Sequence, residues 1–421
     1  MRKLFFFLSY VFFFPALFAA TEIRDTKIES ALEEIIRPIA AAANIKPKIH
    51  VVSDNAFNAS TEGGADIFIN TGLLVKIDTP AELQAVLAHE IGHVNLGHIA
   101  QMGAKARAET SRSMAVQALG VGLIALNPQA AIGVIMGAGG MALQSMLAFT
   151  RDEERAADDY AVKLLSKAGS APDALLSVFR KMQNSQESKI NPNNINHPLT
   201  EERIKNIKLQ IENEAGEKKK NNGASATASL RLVQAKLIAY LEPNRVKTLY
   251  PDSDKTDKAL YARAIARMRG GDLDSAKTGT LTLISRHKEN PYFYELLGDI
   301  EFQFGHYDDS IRAYEESLQK LSGNKMQIET ALALVLSERR KPGDLERAGA
   351  LCKKSVLAEP MPLAYWVLAK ADEKRADYYL AEYHYLAGDK KRAKQYAKQA
   401  VKKLKKDSPE YLKAKDIAEL E

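Results

Sequence analysis

The chain has 421 residues and a formal net charge of +6, with 46% hydrophobic and 27% charged residues. This length suggests two or three domains, the composition excludes a disordered chain, and the charge is too mild to argue for a nucleic-acid partner. A single cysteine, Cys352, excludes an intrachain disulfide, and a core of this size does not need one.

The chain opens with "MRKLFFFLSYVFFFPALFAA". Arg2 and Lys3 precede an apolar run from Leu4 to Phe14, and small residues end at Ala19-Ala20. This is the three-part order of a secretory signal peptide, so residues 1–20 are expected to be removed. The rival reading is a retained membrane anchor. Against it, the run is short of the ~20 residues of a bilayer span, and Pro15 interrupts it. Phe18, at the −3 position, is a poor match to a cleavage site, and no nearby cysteine could carry a lipid.

Residues 21–215 mix helical and strand patterns and read as one domain. Thr79-Pro80-Ala81-Glu82 opens a helix: Thr79 can cap, Pro80 suits the first turn, and Glu82 completes a capping box. Leu83, Val86 and Leu87 recur at helical spacing and lead into "HEIGH", residues 89–93. His89 and His93 are therefore i and i+4 on one face, close enough to hold one metal ion, and Glu90 lies on the same turn. There it can take a proton from a water that zinc has acidified. The alternative is a partly buried helix whose histidines pair with carboxylates.

A catalytic zinc site needs a third protein ligand. His98, nine residues after His89, points away if the helix simply continues. The metzincin spacing would need Gly at 96 and His at 99, where this chain has Leu96 and Ile99. The third ligand must come from elsewhere. Residues 149–165, "FTRDEERAADDYAVKLL", read as a helix with Glu154 and Asp158 at i and i+4. One carboxylate can bind the metal and the other can fix a histidine ligand through its far nitrogen, though acidic pairs on a helix are usually just solvated. Between the motifs, residues 114–149 are rich in Gly, Ala and Met, and Asn127-Pro128-Gln129 splits them into pieces of about 13 and 20 residues. The first piece is too short to cross a bilayer and the second carries Gln144. Two helices that pack over the site or rest on a membrane surface are favoured over a hairpin of spans.

Residues 216–228, "GEKKKNNGASATA", are polar and aperiodic and read as a linker. From 229 to 421 the pattern is helical and repeats. Gly271, Gly305, Gly343 and Gly388 sit in similar frames, the first two 34 residues apart, with insertions implied in the later intervals. That period is the mark of tetratricopeptide repeats, in which glycine turns one helix tightly onto the next. Ala276, Ala313, Ala348 and Ala393 would let the helices pack closely. Such an α-solenoid binds a protein partner rather than catalysing. The basic run "DKKRAKQYAKQAVKKLKKD" reads as a solvated helix face, with contact to anionic lipid a minority option.

Four blocks in order, "NAFNASTEGGADIFINTGLL", "AVLAHEIGHVNLGHI", "FTRDEERAADDYA" and "INHPLTEERIKNI", resemble the zinc metallopeptidases of the HtpX, BepA and CAAX-prenyl-protease clan. With the signal peptide and repeats added, the chain resembles BepA-type periplasmic proteases. The resemblance implies a mostly α fold: an α+β zincin-like domain of helices and a small sheet, followed by the repeat solenoid. It implies His89, His93 and Glu154 as ligands of one zinc ion per chain, Glu90 as the base and Asp158 behind a ligand. It also implies that His197 and Arg203 approach the substrate carbonyl and stabilise the oxyanion. His197 has a second possible role, closing the site in a latent state. The strand "GADIFINTG" could pair with an extended substrate. The expected function is a periplasmic zinc endopeptidase acting on envelope or outer-membrane proteins, with clients or assembly machinery recruited by the repeats. The alternative is a repeat-based periplasmic chaperone or scaffold whose protease site is latent or vestigial.

Overall fold

The computed structural model describes residues 22–61, 64–102, 104–105, 108, 114, 151–184, 201–213 and 223–420. The expected class is found: helices with a small sheet, then helices alone. His197 and all but Met114 of the apolar stretch 114–149 lie outside the described residues. Among the described residues no helix is long and apolar enough to cross a membrane.

The chain forms two compact units, Leu32–Leu230 and the remainder, which joins the segment through Ala31 to Arg231 onward. Both divisions fall inside helices, Thr26–Ala43 and Ala224–Leu241. The expected linker at 216–228 is thereby corrected in its second half. Ala224, Ser225, Ala226, Thr227 and Ala228 begin a helix, and the Ser225 and Ser229 hydroxyls donate to Glu34 at 2.7 and 2.9 Å. Polar composition suggested a loop, but small residues with a carboxylate to bond are equally at home in a helix's first turns.

In the first unit, strands β1 (Lys48–Val52), β2 (Ala59–Thr61) and β3 (Asp66–Asn70) contribute to the sheet. β3 alternates, burying Ile67 and Ile69 completely. It pairs parallel with β1, Lys48 opposite Asp66, and antiparallel with β2, Ala59 opposite Ile69. The strand expected to receive a substrate, 66–70, is therefore central, with neighbours on both sides. One edge is β2, and it packs against the HEIGH helix.

That helix, Pro80–Asn95, is buried from Pro80 to His93, the sign of a central core element. Thr79 caps it as expected, its hydroxyl accepting from the Glu82 amide at 3.2 Å, while the Glu82 carboxylate reaches one residue further back than a capping box requires and accepts from the Asp78 amide at 2.6 Å. A second helix, residues 151–167, lies alongside it. The approach depends on Gly92, because a Cβ placed there would stand 3.1 Å from the Ala157 carbonyl oxygen and 3.2 Å from its Cα. Asn95 also donates to the Tyr160 hydroxyl at 2.6 Å.

In the second unit, helices pair in sequence: Asp257–Arg269 with Leu273–Arg286, Pro291–Phe304 with Tyr307–Lys320, Met326–Arg339 with Asp344–Ala358, and Ala376–Leu386 with Lys390–Lys403. All four glycines singled out by the repeat pattern have positive φ, between 77° and 85°, so each makes the left-handed turn that L side chains avoid. The long interval between Gly343 and Gly388 holds an extra helix, Pro362–Ala371. Ala276, Ala348 and Ala393 are fully buried, each five residues after its glycine. In the second pair that position is Ser310, whose buried hydroxyl donates to the Gly298 carbonyl at 2.8 Å, and Ala313 lies three residues further on.

Candidate metal centre

Two helices and a tight turn build the centre. His89 and His93 stand one turn apart, with Nε2 atoms 3.1 Å from each other. Glu154, from the helix over 151–167, brings Oε2 to 3.4 Å from His89 Nε2 and Oε1 to 3.4 Å from His93 Nε2. All three residues are buried. Donors at tetrahedral corners around an ion bound at about 2.0–2.1 Å stand about 3.3–3.4 Å apart. The separations, 3.1 Å between the imidazoles and 3.4 Å from each imidazole to one or other oxygen of Glu154, are near that edge length, so the residues present fit a small divalent cation. Glu90 is buried on the same helix.

Behind the donors lies a charge network. The Asp158 Oδ1 is 3.0 Å from His89 Nδ1. Arg203, from helix Glu201–Asn213, donates its Nε and Nη2 to Asp158 at 2.7 and 2.9 Å, sets Nη1 2.8 Å from Glu154 Oε2, and lies over the Phe179 ring at 5.0 Å. Burial would pull the His89 imidazole down, but Asp158 and Glu154 outweigh it and lift its pKa to about 10. Burial alone would raise the Asp158 carboxyl, yet Arg203 and His89 hold it below the usual range. In this arrangement the pocket demands positive charge beside His89, which is the demand a cation meets.

The expected positions are thus brought together for His89, Glu90, His93, Glu154 and Asp158. Arg203 is placed differently from the expectation: its guanidinium grips the carboxylates of the centre, so an oxyanion role would have to share it. His98 corrects the sequence reading. The helix does not simply continue; it ends at Asn95, Gly97 takes φ 70°, and a new helical stretch starts at His98. His98 Nδ1 comes to 2.8 Å from His93 Nδ1. Only the Gly after Leu96 hinted at that turn. A second acidic group, Glu301, His306 and Asp309, is an ion-pair cluster, in which Lys277 holds Glu301 at 2.6 Å and Arg312 pairs with Asp309.

Residues 22–211 match Peptidase family M48. This stretch of the chain is therefore similar to M48 peptidase domains. The beta-barrel assembly-enhancing protease of Escherichia coli (strain K12) is 25% identical over 291 residues, covering 63% of this chain and 56% of that protein. Its counterpart from Yersinia pestis is 27% identical over 280 residues, with the same coverage. The metalloprotease LoiP of Escherichia coli (strain K12) is 29% identical over 161 residues, 38% of this chain and 60% of LoiP. The chain spans little more than half the length of these relatives. A stretch similar to M48 domains that carries the HExxH sequence and clusters two histidines with a glutamate has the parts of a metallopeptidase.

Proposed function

We propose that this chain is a periplasmic zinc endopeptidase that hydrolyses peptide bonds of envelope or outer-membrane proteins, and that its repeats recruit clients or partners. One observation carries the reading: donor atoms of His89, His93 and Glu154 lie 3.1–3.4 Å apart on the two helices that also carry Glu90 and Asp158. Two imidazoles and a carboxylate suit zinc better than magnesium or calcium, which favour all-oxygen sets. One zinc per chain would be held by these three residues, and when bound it supplies Lewis-acid chemistry, acidifying water and polarising a carbonyl.

The chain's own residues do the rest. Glu90 takes the proton from the attacking water and passes it to the leaving amine. Asp158 orients His89, and Arg203 balances Asp158 and Glu154. His197, beside Pro198 in "HPLTEER", is the remaining candidate for stabilising the oxyanion or for latency. An extended substrate would add to the edge strand Ala59–Thr61, beside the metal helix. The N-terminal segment supports export. The relatives named for β-barrel assembly support a role in outer-membrane protein quality control, with assembly machinery as a partner of the tetratricopeptide-like repeats. Residues 114–149 would supply peripheral membrane contact.

The test is metal content and casein cleavage of the purified chain without residues 1–20, beside Glu90→Gln. One zinc in each, with cleavage reduced about 10²–10⁴-fold in the variant, is the expected result. Zinc in both and cleavage in neither would favour the chaperone or scaffold reading with a latent site. No metal in either would overturn the enzyme reading.

A further inference from the structure

His98 stands in the wall of the centre without belonging to its donor set. It is 5% exposed. Its ring meets His93 edge to face, with centroids 4.8 Å apart and planes at 77°. The two Nδ1 atoms are 2.8 Å apart, and imidazole nitrogens at that separation share one proton. His93 Nε2 is the atom that faces His89 and Glu154. To bind a cation it must offer a lone pair, so the His93 proton resides on Nδ1. His98 Nδ1 is then the acceptor, and His98 carries its own proton on Nε2.

We propose that His98 is a positioning residue for the metal centre: its Nδ1 accepts from His93 Nδ1 and thereby fixes the tautomer and ring angle of that ligand. The proposal rests on the metal-centre reading above. It makes the two histidine ligands parallel in design and different in charge. Asp158, a carboxylate clamped by Arg203, holds His89. A neutral imidazole holds His93. The difference has a physical reason. Glu90, Glu154 and Asp158 already set three carboxylates against Arg203 and a divalent ion, and Glu153 is buried beside Glu154. A second orienting carboxylate behind His93 would leave one buried negative charge uncompensated, at considerable cost. A neutral acceptor orients the ring and keeps the balance.

Zinc affinity of the full chain, stripped of metal and titrated against a chelating dye, tests the assignment. His98→Phe fills the space and removes the acceptor. His98→Asn places its amide oxygen near the Nδ1 position and keeps an acceptor. The dissociation constant for zinc is expected to rise about 10–100-fold in His98→Phe and to return most of the way in His98→Asn. The visible absorption of the cobalt-substituted forms should change in the first and resemble the wild type in the second. A folded His98→Phe chain with wild-type zinc affinity would overturn the proposal, as would equal losses in both variants. If His98→Phe does not fold, His98→Asn decides alone: affinity near wild type supports the role, and a loss above tenfold overturns it. A wild-type chain that takes up no zinc would overturn the metal-centre reading itself, and the role of His98 with it.

Discussion

Within the HEIGH pentad, Gly92 sets how closely the two helices of the candidate centre approach. A methyl group there would press on the Ala157 backbone at 3.1–3.2 Å, and backbone cannot move aside as a side-chain tip can. Gly92→Ala should force the two helices apart by a few tenths of an ångström and spread the donor triangle. The expected result is a chain that folds with about 1–3 kcal/mol less stability and binds zinc more weakly, read by thermal unfolding and dye competition. Arg203 makes a second residue-scale prediction. Arg203→Met removes the guanidinium that Asp158 and Glu154 share, leaving them with His89 and, for Glu154, His93, and should lower stability by about 3–5 kcal/mol, measured by urea unfolding of the metal-free chain. Added zinc should restore part of that loss, because it replaces positive charge at the same spot.

Helices and strands divide by how local their causes are. The metal helix was legible because its cap, its Pro80 and its i,i+4 histidines all lie within seventeen residues, Thr79–Asn95. The repeat turns were legible because a glycine at positive φ is a local need. Misreadings came where the cause is distant. Strand 66–70 was recognised, but whether a strand is central or edge depends on partners elsewhere in the chain. His98 was read as pointing away because a helix was extrapolated past its end. Arg203 is a different case: its place rests on resemblance, and its partners Asp158 and Glu154 lie about fifty residues earlier in the chain. In the repeats, Ala313 was counted in the series, whereas Ser310 holds that place by a hydrogen bond no period reveals. Close packing beside it gives an element-scale prediction. A Cβ on Gly298 would stand 2.9 Å from the Tyr314 ring, so Gly298→Ala should destabilise this hairpin by about 1–3 kcal/mol, seen as faster hydrogen exchange in residues 291–320.

At the scale of the whole molecule, the repeat unit reaches beyond the repeats. The Lys236 ammonium, fully buried, lies 2.6 Å from Asp25 and 3.5 Å from Glu295. Thr26 donates to Gln327 at 3.1 Å, Gln327 donates to Glu29, and Arg24 pairs with Glu359. Asp25→Asn keeps the shape and removes the charge, and should lower the stability of this unit by about 3 kcal/mol in urea unfolding. Nearby, burial pushes the Asp299 carboxyl up to about 6, against the Tyr314 hydroxyl and Lys236, which pull it down. The folded form therefore keeps a proton that the unfolded chain loses from about pH 4. Stability from this group falls as pH rises from about 4 to 6 and is level above that. Asp299→Asn should remove this slope from the melting temperature measured across that range.

The segment 22–31 also sets an order of events. Its partners Gln327 and Glu359 lie about three hundred residues later in the chain, with the whole peptidase domain between them. Closing a loop of that length costs several RT of entropy, and the cost falls on the search for the contact. During synthesis this segment is made early and docks late, after the helix pair that contains Gln327 exists. The peptidase domain can reach its own core while the repeat unit still lacks its first piece. A chain cut short before Gln327 would carry the cluster of His89, His93 and Glu154 and an unfinished repeat unit, with the Asp25 segment waiting for partners not yet made.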